Sequence, residues 1–100
     1  MEARALSECG TLSSWNLFEV IETGAQHLLG YAPNYKFDVI TDEITHISFD
    51  RKAKFGTAVT KSGVLYELSG KPVRLNLKWH PQAKVFIETY NCSVRLISLK

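Results

Sequence analysis

Polar and apolar residues alternate most cleanly in the middle and C-terminal parts of the chain. Val64, Tyr66 and Leu68 share one side of a two-residue rhythm, with Leu65 and Glu67 on the other. Thr57 to Thr60 is a second run of β-formers, and Lys61-Ser62-Gly63 separates the two. A three-residue hairpin loop needs its last residue in the left-handed region, where glycine meets no Cβ clash, so the pattern predicts a hairpin. Ser69-Gly70-Lys71-Pro72 is the next turn signal. Val73 to Trp79 then alternates without interruption: Val73, Leu75, Leu77 and Trp79 on one side, Arg74, Asn76 and Lys78 on the other. That spacing predicts a half-buried strand with Trp79 in the core.

The remaining segments are read in the same way. Met1 to Glu8 has good helix formers but is short, so residues 1–12 are expected to be an N-terminal arm or short helix. Ser13 to Ala32 reads as a hairpin turning at Thr23-Gly24. It also admits a helix capped by Ser14 and ended by Gly30, with Leu17, Val20, Ile21 and Leu28 on one face. Gly24 inside that helix would cost about 1 kcal/mol, and the bulky Trp15, Phe18, Val20 and Ile21 favour strands, so the hairpin is preferred. Ala32-Pro33-Asn34-Tyr35 marks a loop. Phe37 to Asp50 returns to the two-residue rhythm, strongest over Ile44 to Phe49, and Asp50 to Lys54 is a polar turn. His80-Pro81-Gln82 turns the chain again. Lys84 to Tyr90 and Ser93 to Leu99 are read as strands joined at Asn91-Cys92, closing a three-strand meander. The fold class predicted is mainly β: one small domain over residues 13–100, an antiparallel sheet folded as a small barrel or sandwich.

Composition adds limits. The chain has 100 residues, enough for one domain with a modest core. It contains no apolar run of about 18 residues and no signal-peptide core near Met1, so the expected setting is cytoplasmic, with no membrane partner. Cys9 and Cys92 are too few for a disulfide framework and lack metal-ligand spacing; two reduced thiols are expected. Charge is divided along the chain. Residues 1–50 carry two cations against eight acids, and residues 51–100 carry ten cations against Glu67 and Glu88. Such a division either marks a docking surface or cancels as the halves interleave in one sheet.

Candidate chemistry is sparse. His27, His46 and His80 stand near no second ligand at a metal-like spacing. Asp42, Glu43 and Glu88 are not paired by anything in the sequence. Cys92 falls in a turn but has no visible base to activate it. No phosphate-binding loop or nucleophile motif is present. The sequence therefore assigns no catalytic, cofactor-binding or metal-ligating residue, and the expectation is a protein that is not an enzyme and needs no cofactor. Its leading expected role is binding another protein or itself, through exposed strand edges and unmatched charge. The alternative is nucleic-acid binding by a basic patch made of Arg51, Lys52, Lys54, Lys61, Arg74 and Lys78, with Trp79, Phe86 and Tyr90 nearby in sequence.

The run T-K-S-G-V-L-Y-E-L-S-G-K-P, Thr60 to Pro72, resembles a segment found in small bacterial proteins of unassigned activity, in which a T-R-S-G turn precedes an aromatic-centred strand and a Gly-Pro turn. His27-Leu28-Leu29-Gly30-Tyr31 is similar to a pattern upstream of it in those proteins. Lys61 stands where Arg is usual, and Val73 to Lys100 has no counterpart. The resemblance implies a small β-rich bacterial protein carried as accessory cargo on mobile DNA, and it favours the strand reading of Ser13 to Ala32. It transfers no activity and no functional residue.

Overall fold

The computed structural model describes residues 10–74 and 76–97. Seven strands and one helix make up these residues. The strands are β1 (Thr11–Val20), β2 (Gln26–Ala32), β3 (Phe37–Ile40), β4 (Ile44–Asp50), β5 (Phe55–Thr60), β6 (Leu65–Ser69) and β7 (Val94–Leu96); the helix α1 (Pro81–Tyr90) precedes β7. The chain is thus mainly β and one domain. The strands run in the order β3-β2-β1-β6-β5-β4, with β7 on β1 as well. All pairings are antiparallel except β1 with β6, which is parallel. Among the described residues the sheet ends at β3 and β4, so it is folded without closing into a barrel.

The fold turns on β1. Between Ser13 and Asn16 it carries one residue more than β2 opposite, and Ser14 sits at φ 46°. A bulge of this kind bends a strand and sharpens its twist. The bend carries β1 from one half of the sheet to the other. Its first residues lie beside β6, at Thr11 against Glu67 and Leu12 against Leu68. Its later residues lie between β2 and β7. Gly30 faces the bulge because a Cβ there would stand 3.0 Å from Trp15 Cβ and 3.2 Å from Leu12 Cβ.

Both faces of β1 are buried. Leu12, Trp15 and Leu17 join Leu28, Ala32, Ile44, Ala58, Tyr66 and Leu68 in the core between the two halves of the sheet. Phe49 meets the Trp15 ring edge-on at 5.3 Å, linking β4 to β1. Phe18 points the other way, to a second core with Leu29 of β2 and Ala83 of α1, flanked by Ile40, Leu77, Phe86, Val94 and Leu96. The helix therefore covers the back of the β1–β2–β3 half.

Much of the pattern read from sequence stands. Both hairpins, β1–β2 and β5–β6, are present, with Gly24 at φ 78° and Gly63 at φ 91° in their turns. Val39, Ile47 and Phe49 pack on the main core, and Asp50 Oδ1 accepts from Lys52 N and Ala53 N in the polar turn. The expected arm lies outside the described residues over 1–9, while Thr11 and Leu12 belong to β1.

Three expectations fail in the last third. The described residues of the expected strand, Val73, Arg74 and Asn76 to Trp79, are not in a strand, and Trp79 is 74% exposed. Val73 makes one ladder-like contact, donating its N–H to Trp15 O at 2.8 Å. The chain then turns at Asn76, whose Oδ1 accepts from Lys78 N and whose carbonyl accepts from Trp79 N and His80 N. A side chain that offers local hydrogen bonds competes with a ladder, and here it wins. Lys84 to Tyr90 is helix, not strand. Pro81 occupies the first helical position, His80 Nδ1 caps Gln82 N at 3.2 Å, and Asn91 ends the helix in the left-handed region at φ 50°. Burial of Ala83 and Phe86 on Phe18 outweighs the small cost of Val85, Ile87 and Thr89 in a helix. The meander is absent too: β7 is a strand, but its partner is β1 at Phe18 to Val20.

Gly56 tests the tightness of the β4–β5 pair. A Cβ at this buried position would be forced against Ser48 O and Phe49. Gly56→Ala is expected to lower stability by about 1–3 kcal/mol in urea denaturation, the usual range for overpacking.

Candidate functional site

Two surfaces with opposite chemistry flank α1 and the segments on either side of it. The first is basic. One open groove is lined by Asn16, Phe49, Arg51, Lys71, Pro72, Val73, Arg74, Leu96 and Ile97. A second is lined by Arg74, Asn76, Leu77, Lys78 and Leu96. Arg74 and Leu96 belong to both, so the two form one continuous surface. It is held by hydrogen bonds to backbone carbonyls: Gly70 N donates to Lys54 O, the Trp15 side chain through Nε1 to Gly70 O at 3.0 Å, and the Asn16 side chain through Nδ2 to Val73 O at 2.7 Å. Thus the irregular 70–74 segment is fixed along β1, and its side chains sit beside the β4–β5 turn.

The six basic candidates divide. Arg51, Arg74 and Lys78 line the basic surface. Lys52 and Lys54 are exposed in the same turn as Arg51, outside the two grooves. Lys61 lies apart: it follows β5, whereas Lys54 precedes it, and six strand residues set the two turns about 20 Å apart. Lys71 joins the surface although sequence reasoning passed over it as part of a turn. Its adjacency to Arg74 across Pro72 was the available signal. Of the aromatics, Trp79 follows Lys78 directly and is exposed, whereas Phe86 and Tyr90 lie on the other surface.

That other surface is a cleft of ≈630 Å³ between the C-terminal end of α1 and the loops after β1 and β3. His27, Phe86, Tyr90, Val20 and Ile40 supply its apolar and aromatic walls, and Glu22, Asp42 and Glu43 its charge. His27 stacks on Phe18 at 5.6 Å, and its Nδ1 lies 2.9 Å from Thr41 O. Glu22 accepts from Ser93 N, which holds its carboxyl below the usual range. Asp42 is also lowered, first by the Glu43 N–H and then by the Ser62 side chain. Cys92, a free thiol, is pushed up by burial and then by Glu22. A thiol shifted upward is a poor nucleophile, so the cleft offers no activated cysteine. Among the described residues no cluster of three His, Cys, Asp or Glu side chains has metal-binding geometry.

The charge division of the sequence is partly cancelled by interleaving. Arg95 Nε donates to Glu19 Oε1 at 2.8 Å, joining the acidic half to the basic half. Arg51, Lys71, Arg74 and Lys78 lie on the basic surface, and Glu22, Asp42 and Glu43 on the cleft. No helix among the described residues is long and apolar enough to cross a membrane.

No protein-family model, no curated protein and no solved structure matches this chain.

Glu22 ties the β1–β2 turn to the start of β7, and its folded-state pKa is lowered. The stability it contributes is therefore present above the ordinary carboxylate range and lost as pH falls through the lowered value. Glu22→Gln is expected to be less stable than the parent in urea at neutral pH, with the difference disappearing in strong acid.

Proposed function

We propose that this protein is a non-catalytic binding module whose basic surface takes a single-stranded nucleic acid. One observation supports this most: Arg51, Lys71, Arg74 and Lys78 line one two-groove surface, and Trp79, the residue after Lys78 in the chain, is 74% exposed. Single strands are held by cations that follow the phosphates and by aromatic faces on which bases stack. A tryptophan in the core would have had no such use. The resemblance of Thr60 to Pro72 suits an accessory protein of bacterial mobile DNA, a setting in which such binding is useful.

The test is retention of the full chain on an immobilised single-stranded oligonucleotide across a salt series. Binding at low salt should fall steeply as salt rises, each neutralised phosphate adding about 0.7 to the log–log slope. Arg74→Glu with Lys78→Glu should abolish retention. Trp79→Ala should weaken it by about 1–3 kcal/mol with the slope unchanged. No retention at low salt overturns the reading.

A second reading, association with another protein or with itself, is favoured by the free edge of β4. That strand is seven residues long, contains no proline or lysine, and among the described residues pairs only on its β5 side. Such an edge is a template for a further strand. Self-association through it predicts a dimer in sedimentation at high concentration that Ser48→Lys disperses. A chain that stays monomeric throughout excludes self-association.

A further inference from the structure

The aromatic cleft beneath the end of α1 is separate from the basic surface and carries its own chemistry. Its three rings form a continuous array: Phe86 lies 5.1 Å from His27 at 63°, and 4.8 Å from Tyr90 at 50°. Ring faces carry negative electrostatic potential and attract cations. Three carboxylates from two loops surround them, Glu22 from the β1–β2 turn and Asp42 and Glu43 from the β3–β4 loop. Among the described residues no lysine or arginine lines the cleft; Lys61 acts on Asp42 through its field. His27 adds an acceptor. Thr41 O can only accept, so Nδ1 of the neutral ring carries the proton and Nε2 keeps its lone pair.

The carboxylates, the ring faces and the Nε2 of a neutral His27 therefore suit a positively charged donor with an apolar body. An anion would be repelled, and a neutral apolar ligand would strip water from the carboxylates without pairing them. The volume is that of a small-molecule site. We propose that this cleft binds an organic ammonium group on an apolar stem, the stem against Phe86 and Ile40 and the ammonium between the Tyr90 ring and the carboxylates. The same chemistry is offered by a free arylalkylamine and by a lysine side chain.

The experiment follows amide shifts of the full-length protein by NMR during titration with phenethylammonium chloride, with the neutral isostere phenethyl alcohol, and with N-acetyl-lysine methylamide. Saturable shifts at Ala25, Thr41 and Asn91 are expected from at least one ammonium probe. The stronger of the two ammonium probes identifies the source as free amine or side chain. Phenethyl alcohol should bind at least about tenfold more weakly than phenethylammonium if the charge is recognised. Tyr90 is 66% exposed, so Tyr90→Leu should fold normally. It should weaken ammonium binding about three- to tenfold, as loss of one ring face implies. Asp42→Asn with Glu43→Gln should erase the preference for charge. Equal binding of phenethylammonium and phenethyl alcohol, or no shifts in the cleft with any probe, overturns the proposal. Neither result bears on nucleic-acid retention, which involves the other surface.

Discussion

The rest of the structure depends on the requirement that one long strand, β1, satisfy hydrogen-bonding edges and apolar faces on all four sides. A buried backbone group without a partner costs about as much as a lost hydrogen bond, so the whole length of such a strand must be accounted for. One edge is taken by β2. The other is shared in sequence by three segments: β6 at Thr11 and Leu12, the 70–73 segment at Trp15 and Asn16, and β7 from Phe18 to Val20. The bulge at Ser14 makes this sharing possible, because it bends β1 away from β6 and opens room for the irregular segment. Trp15 sits at that bend, fully buried, with its indole N–H held by Gly70 O. Leu12, Trp15, Leu17 and Phe18 each contribute on the order of 1.5–3 kcal/mol by burial.

The same arrangement creates both surfaces. The 70–74 segment is tied to β1 by backbone and by Asn16, so Lys71 and Arg74 are presented from a fixed rather than a free loop. The chain then turns at Asn76, which leaves Trp79 outside and starts α1. The helix packs on the back of β1 and β2, and where it ends over the β1–β2 and β3–β4 loops it forms the acid-rimmed cleft. A charge division that is only a trend along the sequence becomes two places: cations around Arg74, and carboxylates around His27. Arg95 with Glu19 joins the two halves directly.

Where the pattern was local, it was legible. The β5–β6 hairpin follows from a glycine at the one loop position that needs a positive φ and from a strand with one apolar side. The β1–β2 hairpin was readable for the same reason, although bulky residues on both sides of β1 also suited a helix. Val73 to Trp79 misled because its alternation was real but unused. An apolar residue every second position describes a strand only if a ladder is there to receive it, and β1 had room for Val73 alone. Lys84 to Tyr90 misled in the opposite direction. Its β-branched content pointed to a strand, while the informative residues were its neighbours, His80-Pro81 before it and Asn91 after it.

The basic surface was half visible, since Arg74 and Lys78 were named from sequence while Lys71 was hidden in a turn. The cleft was not visible at all, because His27, Asp42 and Phe86 are brought together only across β2, the β3–β4 loop and α1. By itself the sequence determined the class of the fold, its two hairpins and its supply of charge, since these arise from neighbours within a few residues. The tertiary structure alone decided which strand edges were filled, and therefore which alternating run was left without a partner. It also decided which charges meet, because contacts between distant segments depend on how a bent β1 divides the sheet.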